Sequence, residues 1–220
     1  GAFVIISARR TENLEKLKTE LGNKCELFKL DVTSEESVSE LKSNIESANL
    51  QLDILINNAG TSDPQRFKDL SEESWNYVLE TNLNGAFRVA KMATDLMLKN
   101  KKGGSIINIA SILGQRVGLN LASYATSKSA LIQLTKSMAL ELARSNIRVN
   151  ALAPGYILTE INDDFFATEE GQNYIKKIPM NRLGLEEDLD GALLLLSSDA
   201  SSFMTGSVIN IDGGHLINPL

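Results

Sequence analysis

With 220 residues, 43% of them hydrophobic and 23% charged, the chain can bury one sizeable core, which excludes a disordered polymer and points to one domain over residues 1–220. Lys+Arg 22 against Asp+Glu 28 gives a net charge of −6, arguing against an electrostatic grip on nucleic acid or an anionic membrane and leaving small molecules or further copies of the chain as partners. A single cysteine, Cys25, and a single histidine, His215, exclude an intrachain disulfide, a thiolate metal cluster and a histidine-based metal centre, and make a reducing, cytoplasmic compartment the default.

The chain opens on Phe3 to Ile6, an apolar run without the basic start of a signal peptide, which reads as a buried strand. Further runs at Leu27 to Leu30, Ile54 to Ile56, Ile106 to Ile109, Val149 to Leu152 and Val208 to Ile211 read the same way. Between them lie helical spacings such as Leu14, Leu17, Leu21 and Val38, Leu41, Ile45, with Ser34 and Ser71 placed ahead of acidic pairs as helix caps. Long helices are expected from about Glu72 to Lys99 and from about Ser123 to Ala143, with Trp75 in the core beside Val78 and Leu79. The longest continuous apolar stretch among the helices, Ala192 to Leu196, is far short of a membrane span.

Alternating β and α units predict an α/β fold, a doubly wound, Rossmann-like parallel sheet between two helical layers. One feature departs from that pattern. The opening strand is followed by Ala8-Arg9-Arg10 and no glycine-rich turn, so it reads as the second strand of such a sheet, with the first βα unit, about 30 residues, absent.

Three segments carry candidate chemistry. Tyr124 and Lys128 lie four residues apart on one predicted helix face, where an ammonium is expected to favour the phenolate and make the phenol a usable acid and base near neutrality. Ser111 ends the strand that includes Ile106 to Ile109, and parallel α/β sheets bind ligands at the carboxyl ends of their strands. In Asn57-Asn58-Ala59-Gly60 the two small residues let a flat ligand approach, while the amides can fasten neighbouring strand ends.

Asn57-Asn58-Ala59-Gly60, Asn82, Ser111 and Tyr124-x-x-x-Lys128 together resemble the short-chain dehydrogenase/reductase family. So do Leu30-Asp31-Val32, Pro154-Gly155-Tyr156-Ile157-Leu158-Thr159, Asn181-Arg182-Leu183-Gly184 and the run from Thr205 to Gly214. The resemblance implies an oxidoreductase that moves hydride between a nicotinamide cofactor and a ketone or secondary alcohol. Tyr124 would be the proton donor or acceptor, Lys128 would lower its pKa and hold the nicotinamide ribose, Ser111 would orient the substrate oxygen and Asn82 would support a relay water. Cofactor contacts would come from Asp31 and Val32 near adenine, from Asn58, Ala59 and Gly60 along the cofactor, and from Pro154, Gly155, Ile157 and Thr159 around nicotinamide. Tyr156, Ile161, Phe165 and Phe166 would belong to a substrate lid. The family commonly pairs long helices between subunits, which implies a homotetramer or homodimer.

With Ala8 where an acid would hold the 2′-hydroxyl of NAD, and Arg9 beside it, NADP is the expected cofactor and NAD the alternative. A non-catalytic nucleotide-fold scaffold is the rival reading, motivated by the absent turn. Cys25 reads as a small hydrophobe, and His215 as either a subunit contact or part of a solvated tail. The resemblance leaves the identity of the carbonyl substrate unassigned, with acyl thioesters, sugars, polyols and steroids all compatible.

Overall fold

The six apolar runs become six strands in a computed structural model that describes residues 1–159 and 162–218. They are β1 (Val4–Ala8), β2 (Cys25–Lys29), β3 (Ile54–Asn57), β4 (Gly104–Ile109), β5 (Ile147–Pro154) and β6 (Val208–Ile211). The α-helices are α1 (Thr11–Leu21), α2 (Glu35–Ser47), α3 (Glu72–Leu79), α4 (Ala86–Asn100), α5 (Ala122–Leu142), α6 (Asp163–Ala167), α7 (Glu169–Ile175) and α8 (Asp190–Leu196).

Both predicted serine caps form. The Ser34 hydroxyl accepts from the Ser37 N–H and that of Ser71 from the Ser74 N–H, each at 3.1 Å, satisfying donors that a helix start leaves without intrahelical partners.

Every strand pairing is parallel, as the βα alternation predicts. The order is β1-β2 in one ladder and β3-β4-β5-β6 in the other. Side chains alternate across the second ladder: Ile106 packs with Met97 of α4 and Ala139 of α5 on one face, and Ile107 packs with Leu196 of α8 on the other. The two ladders share the layer formed by α2 and α4, because Ile5, Phe28 and Leu55 all pack on one cluster built from Val38, Leu41, Ile45, Val89 and Met92. The sheet is therefore interrupted between β1 and β3, where Val4 and Ile56 are exposed. That gap is the place at which the first strand of the doubly wound pattern stands.

Two expectations about helices need correction. The long helix expected from Glu72 to Lys99 is broken into α3 and α4 by a π turn over Glu80–Gly85, in which one residue is effectively inserted into the helical ladder. A salt bridge from Arg88 Nη1 to Glu80 Oε1 (2.6 Å) spans it. Trp75 is only half-buried, the core position on that turn belonging to the fully buried Val78. The second long helix forms as α5, one residue earlier than expected at each end. Cys25 is buried, as a small hydrophobe would be. His215 is neither solvated nor in a loose tail: it is buried at 6% exposure in a short 3₁₀ turn.

Candidate active site

Tyr124, Lys128, Ser111 and Asn82 converge at the carboxyl ends of β3 and β4, and polar side chains tie those ends together. The Asn57 amide donates to the Ala86 carbonyl (2.8 Å) and to Asn108 Oδ1 (3.2 Å), and Asn108 Nδ2 donates to Thr135 Oγ1 on α5 (2.9 Å). Buried amides need such partners, and here they lock β3, β4, α4 and α5 in register. The residues after Asn57 are open: Asn58, Ala59 and Gly60 are all exposed at the strand end.

Asn82 lies in the π turn and is fully buried. Its Oδ1 accepts from the Thr61 N–H (2.7 Å), while Nδ2 donates to the Thr61 carbonyl (2.9 Å) and to Ser127 Oγ (3.0 Å). One side chain thus pins the loop after β3 to the α5 turn that carries Lys128. The π turn is what brings Asn82 inward, and helical periodicity in the sequence gives no sign of it.

Lys128 is 4% exposed, and its ammonium donates to the Ile109 carbonyl at 2.8 Å while lying 5.7 Å from the centre of the Tyr124 ring. Burial pulls its pKa down to about 8. Tyr124 departs from expectation. Its pKa is pushed up, because burial penalises the phenolate and only a hydrogen bond from Ser111 works the other way. The desolvated ammonium of Lys128 is turned toward the Ile109 carbonyl. Ser111 Oγ also accepts from the Leu113 N–H (3.1 Å), which holds the loop after β4 against the tyrosine.

The expected cofactor residues surround this centre. A methyl group built on Gly60 would touch Lys128 Nζ at 3.4 Å and Asn82 Oδ1 at 3.5 Å, so the glycine leaves a shallow cradle over the amine. The ammonium has three donors, and among the described residues one acceptor, the Ile109 carbonyl, takes one of them. An incompletely satisfied buried ammonium under a glycine cradle fits the vicinal hydroxyls of a ribose. Asp31 spends Oδ1 on the Thr33 N–H and hydroxyl (2.9 and 2.7 Å), and those bonds lower its pKa, first among causes that include the charge of Arg9. Val32 is buried under Gly85 of the π turn, a packing role. Arg9 stands exposed at the carboxyl end of β1.

Pro154 ends β5, and Gly155 is required by close approach, since a Cβ there would lie 2.8 Å from Asp212 Cα. Ile157 and Thr159 are half-buried in a segment that bridges to Gly184 and is closed by Asn162, which accepts from the Thr159 N–H (2.9 Å) and donates to the Ile157 carbonyl (2.8 Å). Of the expected lid, Phe166 is buried and Phe165 exposed, while Ile161 lies outside the described residues. Beside Tyr124 a cleft of about 260 Å³ opens between Ser111, Ile112, Leu113, Leu121 and Tyr156. Tyr156 was read from the sequence only as part of a lid. Its place against the C-terminal turn depends on contacts between residues some 60 positions apart, for which the sequence holds no local signal.

A family model described as enoyl-(acyl carrier protein) reductase matches residues 1–215. A solved short-chain type dehydrogenase/reductase from Mycobacterium marinum superposes with a TM-score of 0.91 at 37% identity, covering 98% of this chain and 86% of that one. The chain belongs to the short-chain dehydrogenase/reductase family. It is 37% identical to the 3-oxoacyl-[acyl-carrier-protein] reductase FabG of Thermotoga maritima, over 99% of this chain and 89% of the relative. It is 38% identical to the 2-dehydro-3-deoxy-D-gluconate 5-dehydrogenase of Bacillus subtilis, over 96% and 84% respectively. A gluconate 5-dehydrogenase from Burkholderia cenocepacia, solved in complex with NADP and tartrate, superposes with a TM-score of 0.91 at 32% identity, over 98% of this chain and 86% of that one. As a member of this family the protein is an oxidoreductase of the alcohol–carbonyl couple, and the scaffold reading is set aside. No helix among the described residues is long and apolar enough to cross a membrane.

Proposed function

We propose that the protein reduces a ketone, or oxidises the matching secondary alcohol, with NADP(H) as the hydride carrier. The observation that carries this reading is the half-buried Tyr124 beside the buried Lys128, with Ser111 bonded to the phenol at the mouth of a cleft. Tyr124 and Ser111 both line the cleft, where their hydroxyls would bond a substrate carbonyl oxygen. Because burial keeps Tyr124 protonated at neutral pH, its hydroxyl serves as the acid in reduction: the O–H bond breaks and the proton passes to the carbonyl oxygen as negative charge develops there. The nicotinamide, when bound, supplies or accepts the hydride at the carbonyl carbon.

Lys128 would hold the ribose hydroxyls with its remaining donors, and its positive charge lies beside the site where the phenolate forms once the proton has left. Asn82 keeps Thr61 and Ser127 in place and thereby fixes the floor of the Gly60 cradle. Asn58, Ala59 and Gly60 would lie along the cofactor, Asp31 near adenine, and Pro154, Gly155, Ile157 and Thr159 around nicotinamide. Arg9, with no acid at Ala8, would meet a 2′-phosphate.

The catalytic unit would act in the cytoplasm as a homodimer or homotetramer. Tyr77, Phe87 and Leu140 present exposed apolar surface on the α3, α4 and α5 elements. The test is consumption of NADPH by the purified protein across a panel of ketones, thioesters and keto-sugar acids. Reduction of at least one carbonyl compound at a rate well above the enzyme-free blank supports the reading. A protein that binds NADPH yet reduces none of them contradicts it.

A further inference from the structure

Tyr156 follows the Pro154-Gly155 turn and stands in the wall of the Tyr124 cleft. Its ring is clamped on three sides. Phe166 of α6 and Tyr174 of α7 meet it edge-on, with centroids 5.7 and 6.0 Å away, and the imidazole of His215 lies against it at 5.5 Å, tilted by 37°. His215 is in turn fixed from the Ser111 side of the cleft: Arg116 Nη1 donates to the His215 carbonyl at 2.7 Å, and neighbouring Gln115 bonds Asn210. The C-terminal turn, the lid helices and the loop after β4 therefore all converge on one aromatic ring.

The hydroxyl of that ring has no hydrogen-bond partner among the described residues and is not sealed from solvent, so it is free to bond a molecule that enters the cleft. It lies near enough to Tyr124 and Arg116 to feel both charges, and burial raises its pKa, so it remains a donor throughout the neutral range. No described residue lining the cleft is charged, and the Asn162 amide there is already spent on Thr159 and Ile157. Arg116 is not part of the lining. A carboxylate entering the cleft would lose its hydration with no cation in its lining to pair with and only the more distant charge of Arg116 in range, whereas a neutral oxygen would need just the Tyr156 hydroxyl.

We infer that Tyr156 is a specificity-determining residue that hydrogen-bonds an uncharged oxygen of the substrate beside the reacting carbonyl, selecting neutral compounds such as 3-oxoacyl thioesters over keto-sugar acids. This rests on the reading that Tyr124 protonates the carbonyl.

The experiment compares wild type with Tyr156→Phe, which keeps the ring and its packing, using NADPH and two probes. The N-acetylcysteamine thioester of acetoacetate carries a second neutral oxygen; cyclohexanone does not. The variant should lose about tenfold in the kcat/KM ratio of thioester to cyclohexanone, the value of about one hydrogen bond, with the loss in KM and not in kcat. The wild type should also prefer the thioester to 5-ketogluconate. An unchanged ratio, equal losses on both probes, or a wild-type preference for 5-ketogluconate overturns the assignment of Tyr156. A wild type that binds NADPH but reduces neither ketone contradicts the proposed function itself, and this inference falls with it.

Discussion

Replacing Lys128 with Met should make the protein more stable while disabling it. The ammonium is 4% exposed and its pKa is about 8 in the folded protein against the ordinary 10.5. An amine depressed in this way holds fewer protons when folded than when unfolded between pH 8 and 10.5, so stability is gained as pH rises through that window, and the full cost of the charge stands at every pH below 8. At about 1.4 kcal/mol per unit, the charge costs the fold about 3 kcal/mol at pH 7. Methionine removes this cost but forfeits the hydrogen bond to the Ile109 carbonyl, worth about 1 kcal/mol. The expected net gain is about 2 kcal/mol at pH 7, or roughly 4–8 °C in Tm for a domain of this size. Urea unfolding of both proteins at pH 7 and 9.5 is the assay. The advantage of the variant should shrink to well under 1 kcal/mol at the higher pH, where the folded lysine is already neutral and only about one unit separates the solution from the unfolded pKa. A variant less stable than wild type at pH 7, or an advantage that does not change with pH, would refute the reasoning.

Two further outcomes are expected. The double variant Ala8→Asp, Arg9→Ile should move the kcat/KM preference from NADPH toward NADH, because a carboxylate repels the 2′-phosphate and binds a 2′-hydroxyl; equal preference in wild type, or no shift in the variant, would remove these residues from cofactor choice. Light scattering at micromolar concentration should return a dimer or tetramer, and a monomer would count against assembly through the α3, α4 and α5 surface.

The strands were legible because parallel strands covered on both faces read as unbroken apolar runs, and β3, β4 and β6 lie within a few residues of where those runs fall. The α2 and α3 starts were legible because Ser34 and Ser71 act locally on the next turn. Tyr124 and Lys128 share a helix face for the same kind of reason, a fixed period of the backbone.

What escaped the sequence is long-range. The π turn at Glu80–Gly85 shifts the helical register by a single residue, which a pattern of apolar positions cannot resolve, and it decides where Asn82 points. The upward shift of Tyr124 follows from burial by elements distant in the chain, while the sequence showed only its neighbour four residues on. His215 reads from the sequence as either a subunit contact or part of a solvated tail, because nothing local reveals that Arg116, 99 positions earlier, holds its carbonyl. The interruption between β1 and β3, by contrast, is foreshadowed in the sequence, because the opening strand runs into Ala8-Arg9-Arg10 with no glycine-rich turn and so reads as the second strand of the sheet.

The central claim is that the Tyr124 hydroxyl moves the proton. Tyr124→Phe deletes that oxygen and leaves a ring of the same shape in the same pocket, so the fold and NADPH binding should be retained. Steady-state turnover with saturating NADPH, on whichever carbonyl compound the wild type reduces, is the measurement. The expected result is a fall in kcat of about 10²- to 10⁴-fold with the thermal melt unchanged. A variant that melts like wild type and turns over within a factor of a few of it would contradict the account.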